Sequence, residues 1–296
     1  MRPAEQGFLL LTSFLGDPNR RPLSLSQMRI LGNRMANMQR PSQQRDLTAE
    51  DLLSIGYGGA QAQRILSLLE DSLQLERYLL KGKKQGCVPL TRVSGGYPQR
   101  LLDALGQESP GCLWAKGDLS LLELPRIALV GSREIRQENR EFAWEAGVQA
   151  ARQGYVLVSG NARGTDRIAQ DACLQSGGRV ICVIADALSF KAADDRILYL
   201  SEDDFDQPFS AQRALSRNRI IHALCEKTLV AQADLHTGGT WDGTSKNLRL
   251  GLSNVFCFQD GSSVADALVQ LGAEPIIRSQ LEDFAGLQPW IESFLK

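Results

Sequence analysis

Histidine and closely spaced cysteine are scarce in this sequence of 296 residues. It contains two histidines, His222 and His236, and six cysteines, no two of which lie within four residues of each other. Zinc knuckles and redox-active pairs need closer cysteine spacing, and a histidine-based triad or metal site usually needs more histidine. We therefore predict no metal site and no cofactor. Several cysteines lie in apolar runs such as VICVI and VFCF, which predicts buried, reduced thiols.

Long apolar runs and an excess of positive charge are also missing. No run approaches the roughly 18–20 apolar residues that a membrane-spanning helix needs, and the first residues do not resemble a signal peptide. We therefore expect a cytoplasmic protein without a membrane partner. The net charge is −1, with a balance of +3 over residues 1–125 and −4 over residues 126–296. Because general nucleic-acid binders are usually basic overall, any anion-binding site here must be local.

The first part of the chain, residues 1–85, is predicted to form a helical domain because its leucines and isoleucines recur at helical spacing. Thr48 followed by Asp51 is typical of a helix start. The segment SIGYGGAQAQRIL predicts a helix, a glycine-rich turn and a second helix. Two interpretations stand: a helix-hairpin-helix or SAM-like module whose turn amides hold a nucleic-acid phosphate, or two helices that only pack together.

The remaining chain changes character in two steps. Residues 86–125 are rich in proline and glycine but also apolar, which predicts an ordered connector. From residue 126 the runs RIALV, YVLVS, RVICVI, TLVAQ, NVFCF and EPII alternate with stretches of helix length. This alternation, with near-continuous apolar strands, predicts an α/β fold with a doubly wound parallel sheet over residues 126–277. Residues 278–296 are predicted to form a short helical tail.

Glycine and small polar residues follow four of the predicted strands. Ligands of open parallel sheets bind beyond the carboxyl ends of the strands. Glycine lets the backbone approach a phosphate, and exposed amides at a helix start favour an anion. We therefore expect an anionic ligand at this edge. The segments are Gly131-Ser132-Arg133, Gly160 to Asp166, Ala233 to Thr240 and Gln259-Asp260-Gly261.

A second cluster of positive charge lies in RALSRNRIIHAL. It places three arginines within seven residues, and arginine suits forked phosphate contacts. The alternative is a solvated basic helix start. Two isoleucines follow directly, which predicts that the segment is anchored to the core.

The motifs VGSR, SGNARGTD, GG, SRNRIIHAL and TGGT occur in the order of the DprA/Smf DNA-processing proteins, and the chain resembles that family over about residues 97–275. The resemblance implies an extended Rossmann-like domain of the SLOG superfamily that binds single-stranded DNA, without catalysis, in DNA processing, recombination or uptake. It further implies a homodimer that helps to load a RecA-type recombinase, notably during natural transformation. The candidate DNA- or phosphate-binding residues are Gly131, Ser132, Arg133, Ser159, Gly160, Arg163, Gly164, Arg213, Arg217, Asn218, Arg219, Gly238, Gly239 and Thr240.

The sequence departs from the family pattern in three places, one of which is Ala214-Leu215, where the family has Phe-Pro. Gln170 stands where the family has a histidine. Residues 194–206 replace a family segment and carry six carboxylates, which should repel a polyanion. Three interpretations remain for this acidic segment: a solvated surface loop, a device that narrows specificity, or a regulatory cover over the site.

A different function is suggested by GGTWDGT, which resembles a loop of related enzymes that cleave the N-glycosidic bond of a nucleotide. The glutamate of that loop is missing, and Asp242 and Asp166 are the carboxylates left to stabilise an oxocarbenium-like state. The alternative to DNA binding is thus a nucleotide-binding sensor or such a nucleotide-cleaving enzyme. Trp241, in the same loop, either stacks on a base or belongs to the core.

Overall fold

A computed structural model describes residues 1–38 and 46–289. Strands and helices alternate through most of the chain, and all six cysteines are buried and unpaired. The strands are β1 (Cys87–Thr91), β2 (Cys112–Gly117), β3 (Arg126–Val130), β4 (Val156–Ser159), β5 (Arg179–Val183), β6 (Ile197–Ser201), β7 (Lys227–Val230), β8 (Asn254–Phe258) and β9 (Glu274–Ile276). The helices are α1 (Pro3–Thr12), α2 (Leu25–Ala36), α3 (Ala49–Ser54), α4 (Gly59–Glu70), α5 (Ser72–Lys84), α6 (Gln99–Leu105), α7 (Gln137–Arg152), α8 (Thr165–Gln175), α9 (Ala211–Ser216), α10 (Asn218–Ala223), α11 (Gly238–Leu250) and α12 (Ser263–Gln270).

The described strands form one sheet in the order β1-β2-β6-β5-β4-β3-β7-β8-β9. The strands from β6 to β9 in this order are parallel, whereas β2 runs antiparallel to β1 and to β6. From β3 the chain winds outward through β4, β5 and β6, and then returns to β7 on the other side of β3. The carboxyl ends of β3 and β7 therefore border the point where the winding reverses, which is where such sheets bind ligands.

The predicted α/β class and the doubly wound parallel sheet are confirmed, and each of the six predicted strands is present. Strands β1, β2 and β6 were not predicted. Proline interrupts the pattern of β1 at Pro89, which an edge strand tolerates. The acidic residues on both sides of β6 made that segment resemble a surface loop. The predicted helical tail is wrong for residues 278–289, where only a 3-10 turn over Arg278–Glu282 forms; residues 290–296 lie outside the described residues.

The N-terminal helices enclose a small core of their own, built from the apolar faces of α1 to α4. The helix start at Thr48 is confirmed, because its hydroxyl accepts from the Asp51 amide while the Asp51 carboxylate accepts from the Thr48 amide. In the turn before α4, the amides of Gly56 and Tyr57 donate to carbonyls of α3. The predicted helix, glycine-rich turn and second helix are thus confirmed, and phosphate binding by the turn stays a prediction.

Helices cover both faces of the sheet and bury two apolar clusters. On one face α7 and α8 pack together with α1 and α5, and the rings of Phe142 and Phe258 stack 4.4 Å apart. On the other face lie α6, α10 and α12. In the described ranges, no helix combines the length and the apolar character needed to cross a bilayer.

The acidic segment joins the N-terminal helices to the sheet. We call Glu202–Asp206 the acidic clasp. The Phe14 amide donates to Asp204 Oδ2 over 2.7 Å, and Asp206 accepts from the Tyr78 hydroxyl and the Lys81 ammonium. Phe205 is fully buried. The interpretation of residues 194–206 as a solvated surface loop is therefore wrong for β6 and the clasp.

The clasp predicts a specific pH dependence of stability. Burial raises the pKa of Asp204 to about 6. Between about pH 4 and pH 6 the folded protein thus keeps a proton that the unfolded chain has released, so the free energy of unfolding falls as pH rises through this interval. The loss is about 3 kcal/mol for a shift of about two pKa units.

Urea unfolding at pH 5 and pH 7.5 measures about half of this loss, about 1.4 kcal/mol, because the other half of the interval lies below pH 5. Asp204→Asn keeps an oxygen for the Phe14 amide but no longer titrates, so it should flatten the difference and raise stability at pH 7.5. The exposed Asp195→Asn is the matched control and should behave as the parent. Equal pH slopes for the parent and Asp204→Asn would contradict the prediction.

Candidate nucleic-acid interface

An open cleft of about 550 Å³ lies at the carboxyl ends of β3 and β7, where the winding of the sheet reverses. Loops after three parallel strands and the helices α9 to α11 enclose it. It is lined by Val130, Gly131, Ser132, Arg133, Glu134, Ala162, Asp166, Ala211, Ala214, Leu215, Arg217, Asn218, Ile221, His222, Asp234, Thr237, Gly238, Gly239 and Thr240. Eight of the fourteen predicted site residues are among them.

Two glycines at this edge serve the packing of one loop on another. A Cβ atom on Gly131 would lie 2.4 Å from Thr165 Oγ1, and one on Gly164 would lie 2.2 Å from the Arg133 carbonyl oxygen. Gly164 also has φ +82°. Thr165 donates through both its amide and its hydroxyl to the Ser132 carbonyl. These glycines are therefore required for the loops after β3 and β4 to meet, whatever the cleft binds.

Beneath the cleft, the Asp166 carboxylate binds two backbone amides of the loop after β4, where the sequence predicted an anionic ligand. Its carboxylate accepts from the Gly160 and Ala162 amides over 3.0 and 3.1 Å. Burial raises the pKa of Asp166, and the nearby Arg217 guanidinium and these two amides oppose that rise. The Gly160 amide is thus not available to a ligand.

Arg217 lies at the floor of the cleft and is only 7% exposed. Its Nη1 donates to the Val183 carbonyl over 2.6 Å, and its guanidinium lies against Gly160, where a Cβ atom would be 1.7 Å from Nη1. Burial lowers the pKa of Arg217, and Asp166 opposes this shift. Arg217 therefore supports the loop after β4 from below through its contact with Gly160, and the nearby charge of Asp166 favours its charged form.

Arg133 is the positively charged group that the cleft leaves available. It is exposed, and within residues 1–38 and 46–289 no side chain pairs with it. The same cleft is lined by the first turn of α11, whose cap residue Thr237 makes no side-chain hydrogen bond to it. The amides of Gly238, Gly239 and Thr240 therefore have no hydrogen-bond partner in the described part of the chain, and uncapped amides of this kind favour an anion.

The other wall of the cleft is apolar. Ala211, Ala214 and Leu215 of α9 line it, and Ile221 of α10 lies deeper. Leu215 is 48% exposed and lies against Gly239 in the first turn of α11. Asp234 is the carboxylate at the rim and accepts from the Ser132 hydroxyl over 3.1 Å. The cleft thus suits a ligand with both an anionic group and a flat apolar group.

Two arginines of the predicted cluster lie elsewhere. Arg213 pairs with Asp203 over 2.6 Å, and Arg219 pairs with Glu202 and donates to the Glu108 carbonyl. Both line a separate cavity of about 540 Å³ beside α1. The acidic clasp therefore neutralises these two arginines instead of covering the cleft.

Two further predicted residues also lie outside the cleft. Ser159 is fully buried and accepts a hydrogen bond from Gln170, the residue at the family's histidine position. The side chain of Arg163 is 79% exposed and lies 3.8 Å from that of Glu134, which is 92% exposed. Arg163 is therefore free to turn toward a ligand, whereas Ser159 is not.

The family model of DNA recombination-mediator protein A matches residues 89–276, well over half of the chain. The chain belongs to this family. The DNA processing protein DprA of Streptococcus pneumoniae is 34% identical over 142 residues, covering 44% of this chain and 50% of that protein. The protein Smf of Escherichia coli is 29% identical over 208 residues, covering 67% and 54%. The chain therefore spans about half the length of these curated relatives.

Solved structures of family members share the fold. The X-ray structure of DprA from Streptococcus pneumoniae has a TM-score of 0.72 at 24% identity, and covers 97% of this chain and 99% of that chain. A structure that describes the single-stranded DNA binding mode of DNA processing protein A from Helicobacter pylori has a TM-score of 0.55 at 25% identity. It covers 64% of this chain and 90% of that chain. The extended Rossmann-like fold expected from the resemblance is thus confirmed.

The residues that favoured a nucleotide-cleaving enzyme are engaged elsewhere in this member of the family. Asp166 is buried against two amides, and Asp242 forms an ion pair with Lys246 over 2.8 Å on α11. Trp241 is partly buried against the core and meets the ring of His236 edge-on, 4.8 Å away. None of these three positions presents a free group to the reacting centre of a nucleotide or to a base in the cleft.

Sequence reasoning missed Asp234, His222 and the apolar wall of α9. Asp234 lay in a segment singled out for its glycines alone. Ala211, Ala214 and Leu215 carry no chemical signature, and only their neighbourhood to SRNRII could have drawn attention to them. His222 follows two core isoleucines directly, and that position was the available signal.

Proposed function

We propose that this protein binds single-stranded DNA in the cleft between β3 and β7 and acts in DNA processing. The observation that supports this most is that one cleft is lined by the unpartnered Arg133, by the first turn of α11 and by the apolar residues of α9. A phosphate suits the charged side because both a guanidinium and helix-start amides favour an anion. A base suits the apolar wall because every base has a flat face.

Within this proposal the predicted residues divide into three groups. Arg133, Asn218 and the turn Gly238 to Thr240 contact the DNA directly, and the exposed Arg163 adds a second phosphate contact. Gly131, Ser132, Ser159, Gly160, Gly164 and Arg217 position the loops. Arg213 and Arg219 balance the acidic clasp and contribute little to binding.

The relatives support the same assignment. The Helicobacter pylori protein is described as binding single-stranded DNA, and the Streptococcus pneumoniae and Escherichia coli relatives carry the DNA-processing and Smf names. The cleft of this chain lies within the residues that the family model matches. A nucleotide sensor would bind its phosphate with the same Arg133 and α11 amides. The two functions therefore differ in whether the ligand is a DNA strand or a single nucleotide.

Fluorescence anisotropy with a labelled 20-residue oligo-dT tests the proposal. One or two phosphate contacts predict a modest salt dependence: affinity should fall about 3–7-fold between 50 and 200 mM salt. Arg133→Ala should weaken binding about 10-fold at 50 mM salt, since a charge-assisted hydrogen bond is lost. The matched control is Arg140→Ala, at an exposed position on α7 outside the cleft.

Two results would reject DNA binding in this cleft. One is the absence of binding to oligo-dT at low salt. The other is equal weakening by Arg133→Ala and Arg140→Ala. Displacement of the oligonucleotide by a mononucleotide at equal concentration would instead favour the nucleotide sensor.

The wider role proposed for this chain follows the resemblance to its family: a cytoplasmic homodimer that helps to load a RecA-type recombinase on single-stranded DNA, including during natural transformation. Light scattering of the purified chain tests the dimer. A recombinase filament assay with and without the chain tests the loading. A monomer at micromolar concentration, or no change in filament growth, would remove the respective part of this role.

A further inference from the structure

A buried polar network ends at the floor of the cleft. His222, Thr228, Asn247 and Ser253 are all at least nine-tenths buried. Asn247 Nδ2 lies 3.1 Å from His222 Nδ1 and 2.8 Å from Ser253 Oγ, while Thr228 Oγ1 lies 2.7 Å from Ser253 Oγ. The network joins α10, β7 and α11 beneath the residues that line the cleft.

The network fixes which ring nitrogen of His222 carries the proton. The Ser253 amide donates to Asn247 over 2.9 Å, so the accepting atom is the Asn247 oxygen and the atom facing His222 is the NH2 group. That NH2 group can only donate, so His222 Nδ1 accepts from it, and Thr228 Oγ1, which lies 3.3 Å from the same nitrogen, directs its proton to the nearer Ser253 Oγ. Burial lowers the pKa of His222 to about 4, so the ring is neutral at physiological pH and its proton lies on Nε2.

The protonated edge of His222 has no protein partner in the described ranges. His222 lines the cleft, and Nε2 lies 3.3 Å from the position of a Cβ atom on Gly243. Gly243 therefore places no side chain against this edge, and the small part of His222 that reaches the surface, 1% of the residue, borders the cleft. The apolar wall formed by Leu215 and Ile221 borders the same floor.

We propose that His222 is a neutral hydrogen-bond donor that reads an acceptor atom on the edge of a nucleobase bound in the cleft. The proposal rests on the proposed DNA-binding function and adds a specificity-determining residue to it. A neutral donor on an apolar floor suits a base, whose ring acceptors are uncharged, while Arg133 and the start of α11 hold the phosphate. A neutral donor leaves the charge balance of the cleft unchanged.

Nuclear magnetic resonance of the chain labelled with 15N at histidine tests the donor directly. With two histidines in the sequence, exposed His236 provides the internal reference. At pH 7 the spectrum should show His222 with its proton on Nε2. Titration with oligo-dT should shift the Nε2 signal, and titration with an abasic oligonucleotide of the same length should not. A proton on Nδ1, or equal shifts with both oligonucleotides, would overturn the proposal.

Binding by variants gives the second test. His222→Phe keeps a ring of similar size without the donor, and Gly243→Ala places a methyl group against Nε2. Both should weaken oligo-dT binding about 10-fold and abasic binding less than 2-fold, since one hydrogen bond is worth roughly 1–1.5 kcal/mol. Gly7→Ala, which meets no atom within 4 Å, is the control for the added methyl group.

The outcomes separate the two proposals. If the parent does not bind oligo-dT at low salt, the proposed function fails and the role of His222 fails with it. If the parent binds and both variants, folded by circular dichroism, bind as tightly as the parent, only the role of His222 is wrong. If both variants weaken oligo-dT and abasic binding equally, His222 is structural and does not read the base.

Discussion

Replacement of Gly160 by alanine is expected to destabilise the protein by about 3–5 kcal/mol and to abolish DNA binding. The added Cβ atom would lie 1.7 Å from Arg217 Nη1, so the guanidinium must leave its place. Arg217 is buried, donates to the Val183 carbonyl and lies close enough to Asp166 for each charge to favour the other. Separating a buried charge from its partner costs several kcal/mol, and crowding adds to that cost.

Urea unfolding and oligo-dT anisotropy measure the two effects of this substitution. Gly95→Ala is the matched control, because a Cβ atom there meets nothing within 4 Å. It should unfold and bind as the parent does. An unchanged unfolding midpoint for Gly160→Ala would show that Arg217 does not hold the loop after β4.

Loss of the Phe205 ring should cost the protein about 3–5 kcal/mol of unfolding free energy, the usual range for a buried phenylalanine cut back to alanine. Phe205 is fully buried between two aromatic rings, with centroid distances of 4.6 Å to Tyr78 and 4.7 Å to Trp114. Its removal leaves a cavity between α5 and β2, and Gly82 beside it supplies no side chain to fill that space.

Thermal unfolding of Phe205→Ala, compared with Phe209→Ala, tests this cost. Phe209 lies four residues further along and is 58% exposed, so its removal should leave the transition close to that of the parent. Similar transitions for the two variants would mean that the N-terminal helices are held to the sheet by other contacts. Oligo-dT binding should survive in Phe205→Ala at low temperature, because the cleft lies on other elements.

The sheet could be predicted from the sequence where strands are buried on both faces. Such strands give continuous apolar runs, and β3, β4, β5, β7, β8 and β9 were found in this way. Edge and border strands break that rule. In β1 and β2, polar and proline residues interrupt the run. The carboxylates that flank β6 find partners just after α1 and in α5, α9 and α10. The apolar residues 197–200 and Phe205 were the local signs of burial in the acidic segment.

The site could be predicted as a place but not as a set of contacts. The order of strands puts the loops after β3 and β7 together, and the sequence identified both. The sequence could not show whether a glycine leaves room for a phosphate or for another loop. Gly164 is of the second kind, because the loop after β3 packs against it. Nor did the sequence show that Arg213 and Arg219 pair with the clasp, because those partners become visible only once β6 is in the sheet.

The acidic clasp has a consequence for the order of assembly. It joins Phe14 to Asp204 across 190 positions and Tyr78 to Asp206 across 128 positions of the chain. Contacts between such distant segments form late, since most of the intervening chain must be organised first. During synthesis the first five helices leave the ribosome long before Phe205. The face of α5 that carries Tyr78 therefore stays exposed to solvent until Phe205 packs against it. A fragment that begins at residue 86 would lack Tyr78 and leave Trp114 and Phe205 exposed to water. The sheet and its N-terminal helices should therefore be expressed and studied together.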